Sequence, residues 1–167
     1  MSEGRGIFLR NLFVDFTPSN RALAAPTFSE LTNTSLIFHE NIGGLATPPS
    51  HTIRRHVGKT DAELALRFEE SPRLTHSSSF PDLATAEAAI GDVMFQHADV
   101  IYKWIAGGFE GGDLALVGRS STGSPVGRVL SRDGSAGPTD RLTVVLRADP
   151  EFVETGGWRL HTAFPSE

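Results

Sequence analysis

A chain of 167 residues with 39% hydrophobic and 21% charged residues has the composition of one soluble globular domain, long enough to bury a full core and too short for two large ones. The formal net charge of −5 excludes a global positive field, so a nucleic-acid partner has to be held by a local basic patch. Zero cysteines exclude disulfides, thiolate catalysis and cysteine-based zinc sites together.

In chain order, residues 7–16, IFLRNLFVDF, are apolar but broken by Arg10, Asn11 and Asp15, which fits neither a signal segment nor a membrane span. Residues 1–49 mix Pro, Ser, Thr and Asn with short apolar runs, and are expected to form an irregular N-terminal extension that docks on the domain or connects it to something upstream. The stretch HTIRRHVGKT at 51–60 ends in the Gly-Lys-Thr triplet of a phosphate-binding loop. Such a loop needs a glycine where Ile53 stands, so a nucleotide cradle is excluded. Residues 51–57 are instead expected to form a short helix stopped by a left-handed Gly58. Thr60 with Glu63 then makes a capping box opening a second helix, DAELALRFEE, at 61–70. Residues 85–106 place Ala86, Ala89, Ile90, Val93, Met94, Ile101, Trp104 and Ile105 at helical spacing, predicting one long amphipathic helix capped by Thr85 with a core-facing stripe. After Gly107 the period changes. The runs DLALVG, PVGRVLSR, RLTVVLRA and WRLHTAF are short strands separated by Gly-, Ser-, Asp- and Pro-rich turns. Helices followed by strands predict an α+β domain with an antiparallel β-sheet over residues 50–167.

Six histidines are the candidates for chemistry near neutral pH: His39, His51, His56, His76, His97 and His161. His56 stands out, at a predicted helix C-terminus among Arg54, Arg55 and Lys59. The helix dipole there favours the charged ring and the neighbouring cations oppose it. His97, amid apolar neighbours, reads as structural. No His-x-His, no HExxH and no cysteine cluster points to a metal, and no cofactor is expected. The Ser77–Ser79 run lacks the G-x-S-x-G elbow of a serine hydrolase.

The segments HTIRRHVGKTDAELALRF, HSSSFPDLATAEAAI, IYKWI and WRLHTAFP, in this order and spacing, resemble the bacterial ribonuclease A-like toxin domain found at the C-termini of contact-dependent growth inhibition proteins (CdiA-type) and other polymorphic toxins. The resemblance covers about residues 50–165. It implies the kidney-shaped α+β fold of ribonuclease A without disulfides, and an endoribonuclease that attacks cytoplasmic RNA, often tRNA, in a neighbouring cell. It also implies delivery by the producing bacterium and a cognate immunity protein that protects kin. The family's histidine falls on His56, its arginine on Arg67 and its C-terminal threonine on Thr162. Where better-studied members carry a tyrosine, this chain has Phe164.

Metal-independent cleavage of RNA uses the substrate's 2′-hydroxyl to attack the adjacent phosphate, so the site needs a base, an acid and a cation for the developing charge. His56 fills one acid/base role, Arg67 offers a planar fork for two phosphate oxygens, and Thr162 adds a hydrogen bond. The second acid/base is open among His161, His51 and Lys59. Strict strand alternation would put Trp158, Leu160, Thr162 and Phe164 on one side and turn His161 away from them. Ser78 could cap a helix or touch substrate, and Phe164 could stack on a base or sit in the core. Phe164 and the acidic balance support a rival reading, a non-catalytic RNA- or protein-binding module on the same scaffold.

Overall fold

The computed structural model describes residues 34–43, 49–152 and 155–167. Most of the N-terminal extension lies outside these, but one part of it is regular: helix α1, Leu36–Gly43. The expectation of an irregular segment does not hold there. Leu36 and His39, three residues apart, are both fully buried. The Leu36 N–H donates to Glu87 Oε1 at 2.8 Å, and His39 Nδ1 accepts the Leu160 N–H at 3.2 Å. The His39 ring stacks on Trp158 and Phe152, with centroids 5.6 and 6.2 Å away.

Helix α2, Thr52–His56, and helix α3, Asp61–Glu70, follow the sequence signals closely. Gly58 is left-handed at φ 65°. Its N–H, however, donates to the Phe80 carbonyl at 2.9 Å instead of closing the helix, while the Phe80 N–H donates to the His56 carbonyl at 2.8 Å. This stop signal therefore ties the end of α2 to a neighbouring segment. The capping box forms as expected: Thr60 Oγ1 accepts the Glu63 N–H, and Glu63 Oε2 accepts the Thr60 N–H at 2.8 Å. Leu64 and Phe68, one turn apart, bury the inner face of α3 against Leu130 in a small second core.

The single long helix expected over 85–106 is two helices, α4 (Leu83–Gln96) and α5 (Ala98–Ala106). His97 breaks the run at φ −111°, ψ 21°. Gln96 Nε2 donates to the Arg119 carbonyl at 2.8 Å, and the His97 ring meets the Val117 carbonyl at 3.0 Å. These side chains bond to strand backbone at the helix junction. The cap of α4 is Asp82, whose carboxylate accepts the Thr85 N–H at 2.7 Å; Thr85 is a first-turn residue, not the cap.

Among the described residues, six strands form two antiparallel three-stranded sheets: β1 (His76–Ser79), β3 (Gly127–Ser131) and β4 (Ala136–Thr139) in the order β1-β3-β4, and β2 (Leu114–Arg119), β5 (Arg141–Ala148) and β6 (Trp158–Pro165) in the order β2-β5-β6. The α+β class with antiparallel sheets is as expected, with β1 and β4 added to the four anticipated strands. Helix α4 packs on β2 and β5, and α1 and α2 pack on β6; Ile90, Val93, Met94 and Ile101 share one core with Leu116, Val144, Leu146 and Leu160. Each such side chain contributes roughly 2 kcal/mol by leaving water. The sheets meet at Gly127, where a Cβ would lie 2.5 Å from both the Ser79 carbonyl and the Pro165 ring. Only glycine allows that approach, which brings the end of β6 beside β1.

Candidate active site

The site forms where α2 lies across the end of β6. Thr52 Oγ1 accepts the Ala163 N–H at 2.9 Å, and the His51 N–H donates to the His161 carbonyl at 3.2 Å. These bonds fix the depth of α2, and His56 on its last turn is buried. His56 Nδ1 sits 3.1 Å from the Ser78 carbonyl. A carbonyl only accepts, so Nδ1 carries the proton and Nε2 keeps its lone pair. Arg67 Nη1 lies 3.4 Å from the same Nδ1 and 3.4 Å from Ser77 Oγ. Because Nδ1 is already protonated, the guanidinium acts on the ring as a nearby charge. The Phe164 ring covers His56 at 5.4 Å, tilted by 32°.

Strict alternation fails along β6. Val145 pairs with Thr162 but Leu146 pairs with Leu160, so His161 is an extra residue, a β-bulge. Trp158, Leu160 and Ala163 all lie in the core, which shows the phase flip directly. Arg159, His161, Thr162 and Phe164 therefore share the opposite face. The expectation that His161 points away from Thr162 is overturned. Its ring stands edge-on to His51 at 5.0 Å, and His51 is 6.3 Å from His56. Arg159 Nη1 lies 3.3 Å from His161 Nδ1. Guanidinium only donates, so His161 carries its proton on Nε2, the opposite tautomer from His56.

A family model, the bacterial CdiA-CT RNAse A domain, matches residues 50–165. The chain belongs to this family. Among solved structures it is similar to a CdiA-CT/CdiI complex from Y. kristensenii 33638, at 28% identity and TM-score 0.61, over 71% of this chain and 100% of that one. No curated protein matches the sequence. The CdiA-CT RNAse A domain is a ribonuclease toxin domain, as the sequence resemblance implied. Helix α1 lies upstream of the matched residues.

Of the residues singled out from sequence, this CdiA-CT domain gathers His56, Arg67, Phe164, His51 and His161 in one cluster, with Thr162 on the same face of β6. Ser78 enters through its carbonyl, not its hydroxyl. Lys59 lies apart: its N–H donates to Ser79 Oγ at 2.9 Å, and it lines a shallow cavity of about 420 Å³ with Pro81, Pro125 and Arg128. Thr162 Oγ1 is buried and has no hydrogen-bond partner among the described residues. Arg159 was not anticipated. Fully buried, it pairs with Asp149 at 2.9 Å and donates to Ser50 Oγ at 2.7 Å while facing His161. Its one available signal was an arginine between two large apolar strand residues, Trp158 and Leu160.

Burial is the main influence on the histidines. It holds His56 down at about 3, with the Arg67 charge adding to the effect and the Ser78 carbonyl opposing it. His161 is lowered to about 4 by burial, then by Arg147, His51 and Arg159, against Asp113. Burial also lowers His51, partly offset by its bond to the Pro49 carbonyl. All three rings are thus neutral at pH 7, with a free lone pair on His56 Nε2 and a proton on His161 Nε2. Among the described residues, no group of three or more His, Asp or Glu could hold a metal ion, and no helix is long and apolar enough to cross a membrane.

Proposed function

We propose that this domain is a metal-independent endoribonuclease toxin that cuts RNA, tRNA in particular, to a 2′,3′-cyclic phosphate inside a competitor's cytoplasm. The observation that carries this reading is His56, whose Nδ1–H is held by the Ser78 carbonyl, which leaves the lone pair on Nε2, while Arg67 stands 3.4 Å from Nδ1. His56 Nε2 takes the proton of the 2′-hydroxyl as that oxygen bonds to the adjacent phosphorus. The P–O5′ bond breaks, and the 5′-oxygen leaves with a proton from an acid. Arg67 and the Thr162 hydroxyl, which has no partner among the described residues, bind the phosphate oxygens as charge develops on them.

His161 is the best-placed acid. The bulge turns it to this face, and it acts as the imidazolium formed when the anionic substrate binds, giving its Nε2 proton to the leaving oxygen and returning to the neutral ring. An anionic phosphate in the cleft offsets the cations that lower both histidines, raising their proton affinity as substrate binds. Lys59, facing a different cavity, suits the flanking phosphates of a longer RNA. The Y. kristensenii relative is a complex with CdiI, and by similarity this domain has its own cognate immunity protein. Delivery by the producing cell follows from the family. Phe164, replacing the family tyrosine, favours the second reading, a binding module without turnover.

Purified protein and its His56→Ala variant, incubated with total tRNA in excess EDTA, distinguish these readings. Discrete products ending in 2′,3′-cyclic phosphate, absent from the variant, are expected. Intact tRNA with folded wild type would select the binding module.

A further inference from the structure

The helix that carries His56 cannot stand by itself. Helix α2 has five residues, far below the length at which a helix is stable alone, and its first N–H groups need acceptors. Its N-cap residue offers none: His51 makes no side-chain cap, and its Nδ1 is committed to the Pro49 carbonyl at 3.2 Å. The acceptor comes from α1 instead, where Glu40 Oε1 takes the Ile53 N–H. Burial raises the Glu40 carboxyl, and the Ile53 and Arg54 N–H groups pull it back toward the ionised form.

We propose that Glu40 is the N-terminal cap of α2, supplied from outside the family-matched region, and that through this cap it positions His56. The idea rests on the reading of His56 as the base. Glu40 is itself firmly held, because Leu36 and His39 anchor α1 to Glu87, Phe152, Trp158 and the Leu160 N–H. Those last two residues belong to β6, the strand that presents His161, Thr162 and Phe164. Glu40 therefore couples the half of the site on α2 to the half on β6. A carboxylate at a helix start also opposes the positive end of the helix dipole, so its charge and its reach both count. A domain cut at residue 50, where the family match begins, would lack this cap.

The test uses the full chain with Glu40→Ala and Glu40→Gln, read by amide hydrogen exchange and by tRNA cleavage kinetics. In Glu40→Ala, exchange at Ile53 and Arg54 is expected to rise about fivefold to tenfold, the equivalent of one lost cap. The Val144 and Leu146 amides in β5 should stay protected. kcat should fall by a similar factor with KM within about twofold, because a displaced base affects the chemical step more than binding. Glu40→Gln keeps the accepting oxygen and should recover most of both. If Glu40→Ala also loosens β5, Glu40→Asp replaces it with the same readouts, since it keeps the charge and withdraws the oxygen by one carbon. Unchanged exchange at Ile53 and Arg54 would overturn the cap, and faster exchange with unchanged kcat would overturn the positioning role. Exchange does not depend on turnover, so a wild type that cleaves no RNA would sink the proposed function without touching the cap.

Discussion

Acidification should cost this protein stability through His56, by an amount that can be isolated. Unfolded, the imidazole has its ordinary value of 6.5; folded, it is held at about 3. Between those values the unfolded chain binds a proton that the folded one refuses, so stability falls as pH drops below 6.5 and the loss levels off only near 3. Each pH unit inside that window costs about 1.4 kcal/mol, and going from pH 7 to pH 5 costs about 2 kcal/mol from this group. His161, held at about 4, adds a loss of the same sign. Comparing wild type with His56→Asn cancels that contribution and every other shared one. Asparagine keeps an N–H for the Ser78 carbonyl, so the fold loses little besides the titrating ring. Urea unfolding followed by Trp104 and Trp158 fluorescence at pH 7 and pH 5 gives the four free energies. The variant should lose about 2 kcal/mol less than wild type over this interval. Equal losses in the two proteins would mean that His56 accepts a proton in the fold as readily as in water, refuting a buried, neutral base.

Arg67→Lys tests whether the phosphate site needs a planar fork or only a charge. kcat/KM on tRNA should fall about 100-fold, as expected for losing an oriented donor to a developing oxyanion, while the melting temperature moves little at this half-exposed site. Retained activity would reduce Arg67 to a charge. Thr162→Val removes a buried hydroxyl that has no partner among the described residues while keeping its shape. Thermal unfolding should show stability unchanged or raised by up to about 1 kcal/mol, with cleavage reduced about tenfold. A destabilised variant would show that the hydroxyl serves the fold and not the substrate.

What could be read from the sequence follows the range of the interaction concerned. The Thr60–Glu63 box and the left-handed Gly58 are set by near neighbours, and both appear where their signals stand. The resemblance carried the same local detail to His56 and Arg67, eleven positions apart, and these meet at 3.4 Å. What escaped depends on distant chain. HSSS has no apolar alternation, and β1 is a strand because β3 pairs with it. The stripe from Ala86 to Ile105 keeps helical spacing across His97, so periodicity cannot register the bonds to β2 that accompany the break. Glu40 has no local partner that would mark it as a cap.

The bulge on β6 is the most consequential of these, and it follows from a conflict within the strand. With strict alternation, the face bearing Thr162 and Phe164 would also bear Trp158 and Leu160. The two most apolar side chains would then lie in the cleft, and Arg159 and His161 in the core. Burying an unpaired guanidinium there costs far more than one lost ladder position. One extra residue between Leu160 and Thr162 resolves the conflict: Trp158, Leu160 and Ala163 stay inside, and His161, Thr162 and Phe164 face the His56 side. The sequence bears the trace of this in two consecutive polar residues, His161 and Thr162, flanked by the core residues Leu160 and Ala163. A period of two cannot accommodate that pair, and the same irregularity sets both the packing of the sheet and the composition of the site.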